Sequence, residues 1–103
     1  MYIAEQKYEY SVALPANKLN GEFLSELHVF FGGYTLGPEH EGVWYDEKTR
    51  ITHRDIMRPV YVALKQEEVD TFFDLLSVFN EKEFDQIALY VKEPCGVVNI
   101  LRR

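Results

Sequence analysis

The chain has 103 residues, and its 17 acidic against 11 basic side chains give a net charge of −6 at pH 7. This charge disfavours nonspecific binding to nucleic-acid phosphates and to anionic membranes. Hydrophobic residues make up 47% of the chain and aromatic residues 15%, enough for a packed core, which excludes a disordered chain. We therefore expect a single domain over residues 1–103, with neither nucleic acid nor a membrane as its partner.

The sequence also indicates the cellular compartment. Cys95 is the only cysteine and can form no internal disulfide, and the first residues contain neither a basic segment nor an apolar signal region. No apolar run approaches the roughly 20 residues that a membrane-spanning helix needs. These features predict a cytoplasmic protein.

The first third of the chain predicts a strand followed by a helix. Alternating apolar residues from Tyr8 to Leu14 are typical of a half-buried strand, which Pro15 ends. Asn17 or Asn20 can cap the helix that follows. The apolar positions of this helix recur at helical spacing before two glycines, Gly32 and Gly33, that favour a left-handed helix end: Phe23, Leu24, Leu27, Phe30 and Phe31.

The middle of the chain predicts a hairpin and a long strand. Segments 43–46 and 50–53 flank a tight-turn sequence over residues 46–49. The chain is again strand-like from Ile56 to Leu64, although Pro59 cannot donate a ladder hydrogen bond. We expect a bulge or an exposed edge at Pro59.

The last third predicts a second helix and further strands. Acidic residues at Glu67 and Glu68 suit the positive end of a helix. Alternation of Ile87, Leu89 and Val91 predicts another strand, and residues 97–101 either pair as a short final strand or lie against a partner. The second helix carries an apolar face on which Phe73 is expected to be buried against the sheet: Val69, Phe72, Phe73, Leu76 and Phe79.

The order strand, helix, strand, strand, helix, strand predicts an α+β, ferredoxin-like β-α-β-β-α-β fold, an antiparallel sheet with two helices on one face. Such a sheet leaves its other face uncovered. Tyr61 and Tyr90, with Ala63 and Ala88, are expected on that face, where pairing of two sheets would bury them. We therefore expect a homodimer whose interface contains Tyr61 and Tyr90; the alternative is that these side chains are scattered and shielded by the loop after Gly33.

Several short motifs also carry a resemblance. The run from Phe31 to Thr35 is followed by Gly42 and Trp44, then by the strands at residues 60–62 and 86–91. This pattern, F-G-G-Y-T followed by G-x-W, resembles a family of small uncharacterised proteins of bacteria, plasmids and phages. The resemblance covers residues 8–92 and implies a compact α+β domain of mobile-element origin. It brings no catalytic residues with it.

The histidines offer a candidate metal site. His40 lies between two glutamates and His53 precedes Asp55 by two residues, so the sequence leaves open whether the two imidazoles converge. Their spacing matches no recognisable metal motif, and solvated surface histidines are the favoured interpretation. No nucleophile elbow or phosphate loop is present. We therefore predict no catalytic residue, no metal and no cofactor.

The residues Arg50, His53, Arg54 and Arg58 form a basic island in an acidic chain. This island can hold a phosphate or an acidic partner surface. Salt bridges to neighbouring acids such as Asp46, Glu47 and Asp55 are the favoured alternative, since such pairs are common on sheets.

Without a catalytic constellation, the sequence favours a non-enzymatic protein-binding module with a protein partner, such as an inhibitor or accessory factor encoded by a phage or other mobile element. The alternative is a binder of a small anionic ligand or nucleotide, or a small enzyme, built from the loop and hairpin at residues 33–54. An acidic mimic of nucleic acid is a weaker third interpretation. The ligand site of the alternative would consist of Tyr34, Thr35, Trp44, Arg50 and Arg54.

Overall fold

A computed structural model describes residues 2–19 and 21–102. Asn20, one of the two predicted helix caps, lies outside the described residues. Two short 3-10 turns, Ala16–Lys18 and Gln66–Glu68, precede the two helices, and a π-helical turn, Asn80–Phe84, follows the second. The regular elements are β1 (Tyr8–Pro15), α1 (Gly21–Phe31), β2 (Thr35–Leu36), β3 (His40–Asp46), β4 (Ile51–Leu64), α2 (Val69–Phe79), β5 (Ala88–Lys92) and β6 (Val98–Arg102).

The strands form one antiparallel sheet in the order β2-β4-β1-β5-β6, and β3 pairs with the same edge of β4 as β2 does. This arrangement confirms the predicted α+β, ferredoxin-like fold. Residues 98–102 pair with β5, so the first of the two alternatives for the end of the chain is correct. None of the helices within the described residues is long and apolar enough to cross a membrane.

The core lies between the helices and one face of the sheet. Alternate residues of β1, β4 and β5 are buried there, which is the period-two pattern that the sequence predicted. The fully buried residues with the largest side chains include Phe84, which the sequence analysis did not place. The core consists of Tyr10, Val12, Leu14, Phe23, Leu27, Phe31, Val60, Val62, Leu64, Phe72, Leu76, Phe79, Phe84, Leu89 and Val91.

Two helix positions differ from the expectation. Phe72 is completely buried, whereas Phe73 is only partly buried and packs on the edge of the core. Phe30 in α1 is half exposed. In each helix the buried residues are three or four positions apart and form one stripe. Phe30 and Phe73 are each adjacent in sequence to a buried phenylalanine and therefore lie beside that stripe.

Gly32 ends α1 as predicted. Its φ is +89°, and its N–H donates to the carbonyl oxygen of His28 over 3.0 Å. A residue with a side chain is strained at this φ, so glycine allows the helix to stop where the chain must turn into β2.

The irregularity expected at Pro59 lies on the facing chain. β4 pairs with β1 without interruption, but on its other edge Leu36 pairs with Val60 and His40 with Met57. Three residues therefore stand opposite two, which is a bulge. The carbonyl oxygen of Pro59 accepts a hydrogen bond from the N–H of Gly37 over 2.8 Å. Since proline has no N–H, Pro59 contributes no unpaired donor at the bulge.

Gly37→Ala should destabilise the protein by about 1–3 kcal/mol, because the bulge leaves no space for a side chain. A Cβ at this position would overlap Pro59 and lie 3.2 Å from Cε2 of Tyr61. Gly21→Ala is the matched control, since a Cβ at Gly21 meets nothing within 4 Å. Chemical denaturation of both variants measures the difference, and equal midpoints would contradict the packing described at Gly37.

Candidate functional site

The sheet surface that faces away from the helices, here called the open face, carries the odd-numbered residues of β1 and β4. Ser11 and Ala13 of β1 lie in its centre. Ser11 pairs with Tyr61 of β4 on one side and with Lys92 of β5 on the other. Continuing this register places Ala13 beside Tyr90. Small residues thus form a trough between larger ones along the middle of the sheet.

The bulge at residues 37–39 decides which side chains of β3 reach the open face. Without the extra residue, the alternation along the strand would place His40 on the same face as Leu36, which packs against the core. The bulge shifts this alternation by one residue. His40, Gly42 and Trp44 therefore share the open face with their β4 partners Met57, Asp55 and His53.

Trp44 is fixed by its neighbour across the hairpin. Its indole stacks on the imidazole of His53 with ring centroids 4.3 Å apart and planes 12° apart. At the tip of the hairpin, the backbone N–H of Lys48 donates to Oδ1 of Asp46 over 3.0 Å. This hydrogen bond holds the pKa of Asp46 below its ordinary value. The hydrogen-bonded turn fixes the hairpin, and His53 covers one face of the Trp44 indole. The other face is available to a ligand.

A second segment faces the hairpin across the sheet. Gln86, Ile87 and Ala88 lead into β5, and the buried side chain of Asn80 holds them in place. Asn80 accepts from the N–H of Gln86 over 2.9 Å and donates to its carbonyl oxygen over 3.0 Å. The amide nitrogen of the Gln86 side chain donates to the carbonyl oxygen of Phe84, so its amide oxygen is left as an acceptor.

The hairpin and this segment enclose a concave site of about 220 Å³, here called the hairpin pocket. Its walls are mainly apolar. Asp55, His40 and Gln86 supply polar groups, and no lysine or arginine of the described chain lines it. Gly42 keeps the floor open, because a Cβ there would lie 2.9 Å from Cγ of Met57. The lining residues are Ala13, His40, Gly42, Val43, Trp44, Asp55, Met57, Gln86, Ile87, Ala88 and Tyr90.

The residues predicted to form a ligand site are spread over the molecule. Thr35 pairs with Tyr61 and Trp44 with His53. These partners are eight residues apart on β4, a separation of about 26 Å along a strand. Tyr34 precedes β2 and is partly exposed. Of the predicted set, Trp44 alone lines the hairpin pocket, together with Tyr90 from the predicted interface.

Two arginines of the basic island bind other groups of the protein itself. Arg50 lies in the turn at a φ of +58°. Arg54 points to the face opposite Trp44 and pairs with Glu41 over 2.8 Å. Nε of Arg58 donates to the carbonyl oxygen of Gly37 over 2.9 Å, which supports the bulge. Ion pairing and backbone support therefore account for Arg54 and Arg58, with Glu41 rather than the predicted acids as the partner.

The two histidines have different environments. His40 lines the hairpin pocket, whereas His53 is stacked on Trp44. Within residues 2–19 and 21–102, no group of three or more His, Cys, Asp or Glu side chains is placed to hold a metal ion. Nothing in the sequence marks Met57, Gln86 and Ile87 as pocket residues, since only the pairing of distant segments brings them beside Trp44.

No protein-family model matches the sequence, and the search of curated proteins found no significant match. The structure is similar to that of a phage SAM lyase solved in complex with S-methyl-5'-thioadenosine, with a TM-score of 0.71 and 10% sequence identity. The match covers 100% of this chain and 95% of the other. At this identity the similarity establishes the fold: a phage protein has the same α+β architecture.

This finding corrects the leading functional expectation. The structural neighbour is an enzyme bound to a nucleoside, which contradicts a non-enzymatic protein-binding module acting as an inhibitor or accessory factor. The finding favours the alternative from the sequence analysis, a small-ligand or nucleotide site, or small enzyme, within residues 33–54. The hairpin pocket draws His40, Gly42, Val43 and Trp44 from that region.

Proposed function

We propose that this protein binds a nucleoside of the S-adenosylmethionine class in the hairpin pocket and is an enzyme that acts on it. The observation that carries the proposal is the pocket itself, an apolar concavity beside a fixed indole in the fold of a nucleoside-binding lyase. Ligand sites of this kind combine apolar walls with a few polar groups that orient the ligand.

The aromatic side chains account for recognition of a base. Trp44 and Tyr90 line the same pocket from opposite segments of the sheet. Stacking of a nucleobase on an aromatic ring contributes about 1–3 kcal/mol per base. Since His53 holds one face of the indole, Trp44 is preorganised for stacking by its other face.

The polar groups account for recognition of the sugar and the base edge. A carboxylate is the usual acceptor for ribose hydroxyls in nucleoside sites, and Asp55 supplies one in the pocket. The amide oxygen of Gln86 can accept from an exocyclic amino group, as that of adenine. His40 adds a donor and an acceptor at the other end of the pocket.

The charge of the pocket decides between ligand types. Asp55 contributes a carboxylate and no lysine or arginine of the described residues stands in the lining, so the pocket suits a neutral or cationic ligand. A sulfonium nucleoside carries a positive charge next to its ribose. This preference departs from the anionic ligand that the sequence suggested, because Arg50 and Arg54 lie outside the pocket.

The proposed reaction is cleavage of the carbon–sulfur bond between the sulfonium and the amino-acid chain. The electron pair of that bond stays on sulfur, which becomes the neutral thioether of S-methyl-5'-thioadenosine. The carbon is captured by the carboxylate oxygen of the same chain, so a lactone forms and no further reactant is needed. The reaction converts the positive sulfonium and the negative carboxylate into neutral groups. The mainly apolar walls of the hairpin pocket solvate these charges weakly and therefore favour the reaction.

S-methyl-5'-thioadenosine should change the fluorescence of the protein on titration, since Trp44 is its only tryptophan and lines the pocket. Incubation with S-adenosylmethionine should release S-methyl-5'-thioadenosine, detected by chromatography. An unchanged fluorescence together with no calorimetric signal would contradict binding. Binding without product would contradict the lyase activity alone.

The setting of this activity is part of the same proposal. A phage or other mobile element as the source is supported by the phage neighbour, and a cytoplasmic location by the single, exposed Cys95. Self-association through Tyr61 and Tyr90 stays a prediction. Both side chains lie on the open face, and Tyr90 also lines the pocket, so a dimer formed there would have to leave the ligand site accessible.

A further inference from the structure

We propose that two copies of this chain associate through β6, edge to edge, so that their sheets join into one continuous antiparallel sheet. β6 (Val98–Arg102) is the last strand of the sheet and, within the described residues, pairs with β5 alone. Its other side therefore presents a row of backbone N–H and C=O groups to solvent, which is a ready template for a second strand. The inference goes beyond the proposed function and does not depend on it.

The pairing with β5 determines which backbone groups of β6 point outward. The N–H of Glu93 donates to the carbonyl oxygen of Val97 over 2.8 Å, and these two residues continue the β5–β6 register by one position. Hydrogen-bonded pairs alternate with non-bonded pairs in an antiparallel ladder, so Asn99 and Leu101 also bond to β5. The intervening residues direct their N–H and C=O groups to the free edge: Val98, Ile100 and Arg102.

These outward groups are complementary to those of a second copy. When another β6 runs antiparallel with Ile100 opposite Ile100 of the second copy, Val98 of each copy stands opposite Arg102 of the other. Each residue then exchanges both of its hydrogen bonds with the residue opposite. Every outward N–H and C=O of β6 has a partner in this register. A two-fold axis perpendicular to the sheet relates the copies, the symmetry of an isologous dimer.

The side chains of the outward residues lie on the open face. Through the register with β5, Ile100 stands beside Tyr90 and Val98 beside Lys92. Ile100, Val98 and Tyr90 are each about half exposed. The proposed pairing brings the Ile100 side chains of the two copies together between the two Tyr90 rings, and such apolar cross-strand pairs stabilise a sheet.

Charge favours β6 over the free edge of β3. The net charge of −6 makes two copies repel each other in most orientations. β6 contains Arg102 and no acidic residue, whereas β3 contains Glu41 and Asp46, and charged side chains on an edge strand deter pairing with another chain. Lys92 and Arg102 of the second copy would lie two strands apart, about 10 Å, which exceeds the Debye length at physiological salt.

The edge is accessible, and its pairing leaves the ligand site free. On the helix side, a cavity of about 340 Å³ lies beside β6 and is lined by Ser77, Glu81 and Leu101 among others. The hairpin pocket draws its lining from β1, β3, β4 and the segment that leads into β5. Both pockets of the pair would therefore open on the same side of the continuous sheet. A dimer of stacked open faces would cover them instead.

The length of the strand sets the expected affinity. β6 has five residues, so edge pairing buries less than the roughly 1,200–2,000 Å² of a stable protein–protein interface. We therefore expect a reversible dimer with a Kd in the micromolar range. Sedimentation velocity over a series of protein concentrations measures this Kd.

Amide hydrogen exchange locates the interface. The amides of Val98, Ile100 and Arg102 should become protected as the protein concentration rises, because their N–H groups enter hydrogen bonds only in the dimer. The amides of Asn99 and Leu101 should be protected at every concentration, since they bond to β5. Stacked open faces would not produce this alternation, so its absence in a dimeric sample overturns the inference.

Ile100→Pro tests the pairing directly. Proline removes the N–H at the centre of the proposed pair, and it is tolerated on a strand edge because the N–H of Ile100 does not bond to β5. The variant should be monomeric at concentrations at which the wild type is dimeric. Ile100→Ala truncates the same side chain but keeps the N–H, so this matched control should still dimerise, more weakly. Circular dichroism reports whether both variants are folded.

Arg102→Glu provides a second test at an exposed position, which holds if Ile100→Pro does not fold. It adds negative charge at both ends of the paired strands, so it should weaken the dimer at low salt and less at high salt. Tyr61→Glu also adds negative charge, but three strands away on β4, and should leave association unchanged. The inference is overturned if the wild type stays monomeric at high concentration, if folded Ile100→Pro dimerises like the wild type, or if Tyr61→Glu rather than Arg102→Glu abolishes the dimer.

Discussion

Phe72→Ala should lower the free energy of unfolding by about 3–5 kcal/mol, the usual cost of truncating a buried phenylalanine. Phe72 is completely buried at the centre of the core. Its ring lies 5.9 Å from that of Phe31 in an edge-to-face arrangement and 6.4 Å from that of Tyr10. The residue therefore joins both helices to β1, and its removal leaves a cavity that none of these elements can fill without moving.

The adjacent residue provides the control. Phe73 lies in the same helix and has the same side chain, but it is only partly buried and its ring meets Tyr10 by its edge at 6.5 Å. Phe73→Ala should therefore cost clearly less than Phe72→Ala. Urea denaturation followed by circular dichroism measures both. Equal losses, or a larger loss for Phe73, would mean that α2 presents a different face to the sheet.

Trp44→Ala should weaken binding of S-methyl-5'-thioadenosine by about 5- to 150-fold, which corresponds to the 1–3 kcal/mol of a lost base–aromatic stack. The fold should remain, because Trp44 lies on the hairpin and outside the core cluster. Calorimetry is the appropriate measurement, since this variant lacks the only tryptophan.

Tyr45→Ala is the control for this loss. Tyr45 is the next residue of β3, it is half exposed, and it points to the opposite face of the hairpin. Its truncation should leave the affinity unchanged. A Trp44→Ala variant that binds the nucleoside as tightly as the wild type would place the ligand elsewhere on the molecule, and equal losses in both variants would indicate that the hairpin had lost its structure.

Local patterns were sufficient to predict most of the fold. Alternation from Tyr8 to Leu14 specified both the first strand and its buried face, because side chains of a strand point to opposite faces in turn. Gly32 indicated the end of the first helix, because the chain turns there at a positive φ that glycine adopts readily. The order of elements then restricted the sheet to few topologies, of which the ferredoxin-like one is present. The predicted burial of Phe73 and Phe30 was wrong, because the spacing of apolar residues in the sequence does not distinguish a phenylalanine within the buried stripe of a helix from one beside it.

The candidate site depended on tertiary structure. Trp44 is conspicuous in the sequence as the only tryptophan, but nothing local connects it with Gln86 or Tyr90, more than 40 positions further along the chain. Those residues line one pocket because β1 pairs with β5 on one side and with β4 on the other, and β4 in turn pairs with β3, which carries Trp44. The predicted set from Tyr34 to Arg54 was close in sequence, yet an extended strand separates neighbours in sequence by about 3.3 Å per residue and alternates their faces. One extra residue at the bulge opposite Pro59 then decided which face received His40 and Trp44, since a shift of one residue along a strand reverses every side chain.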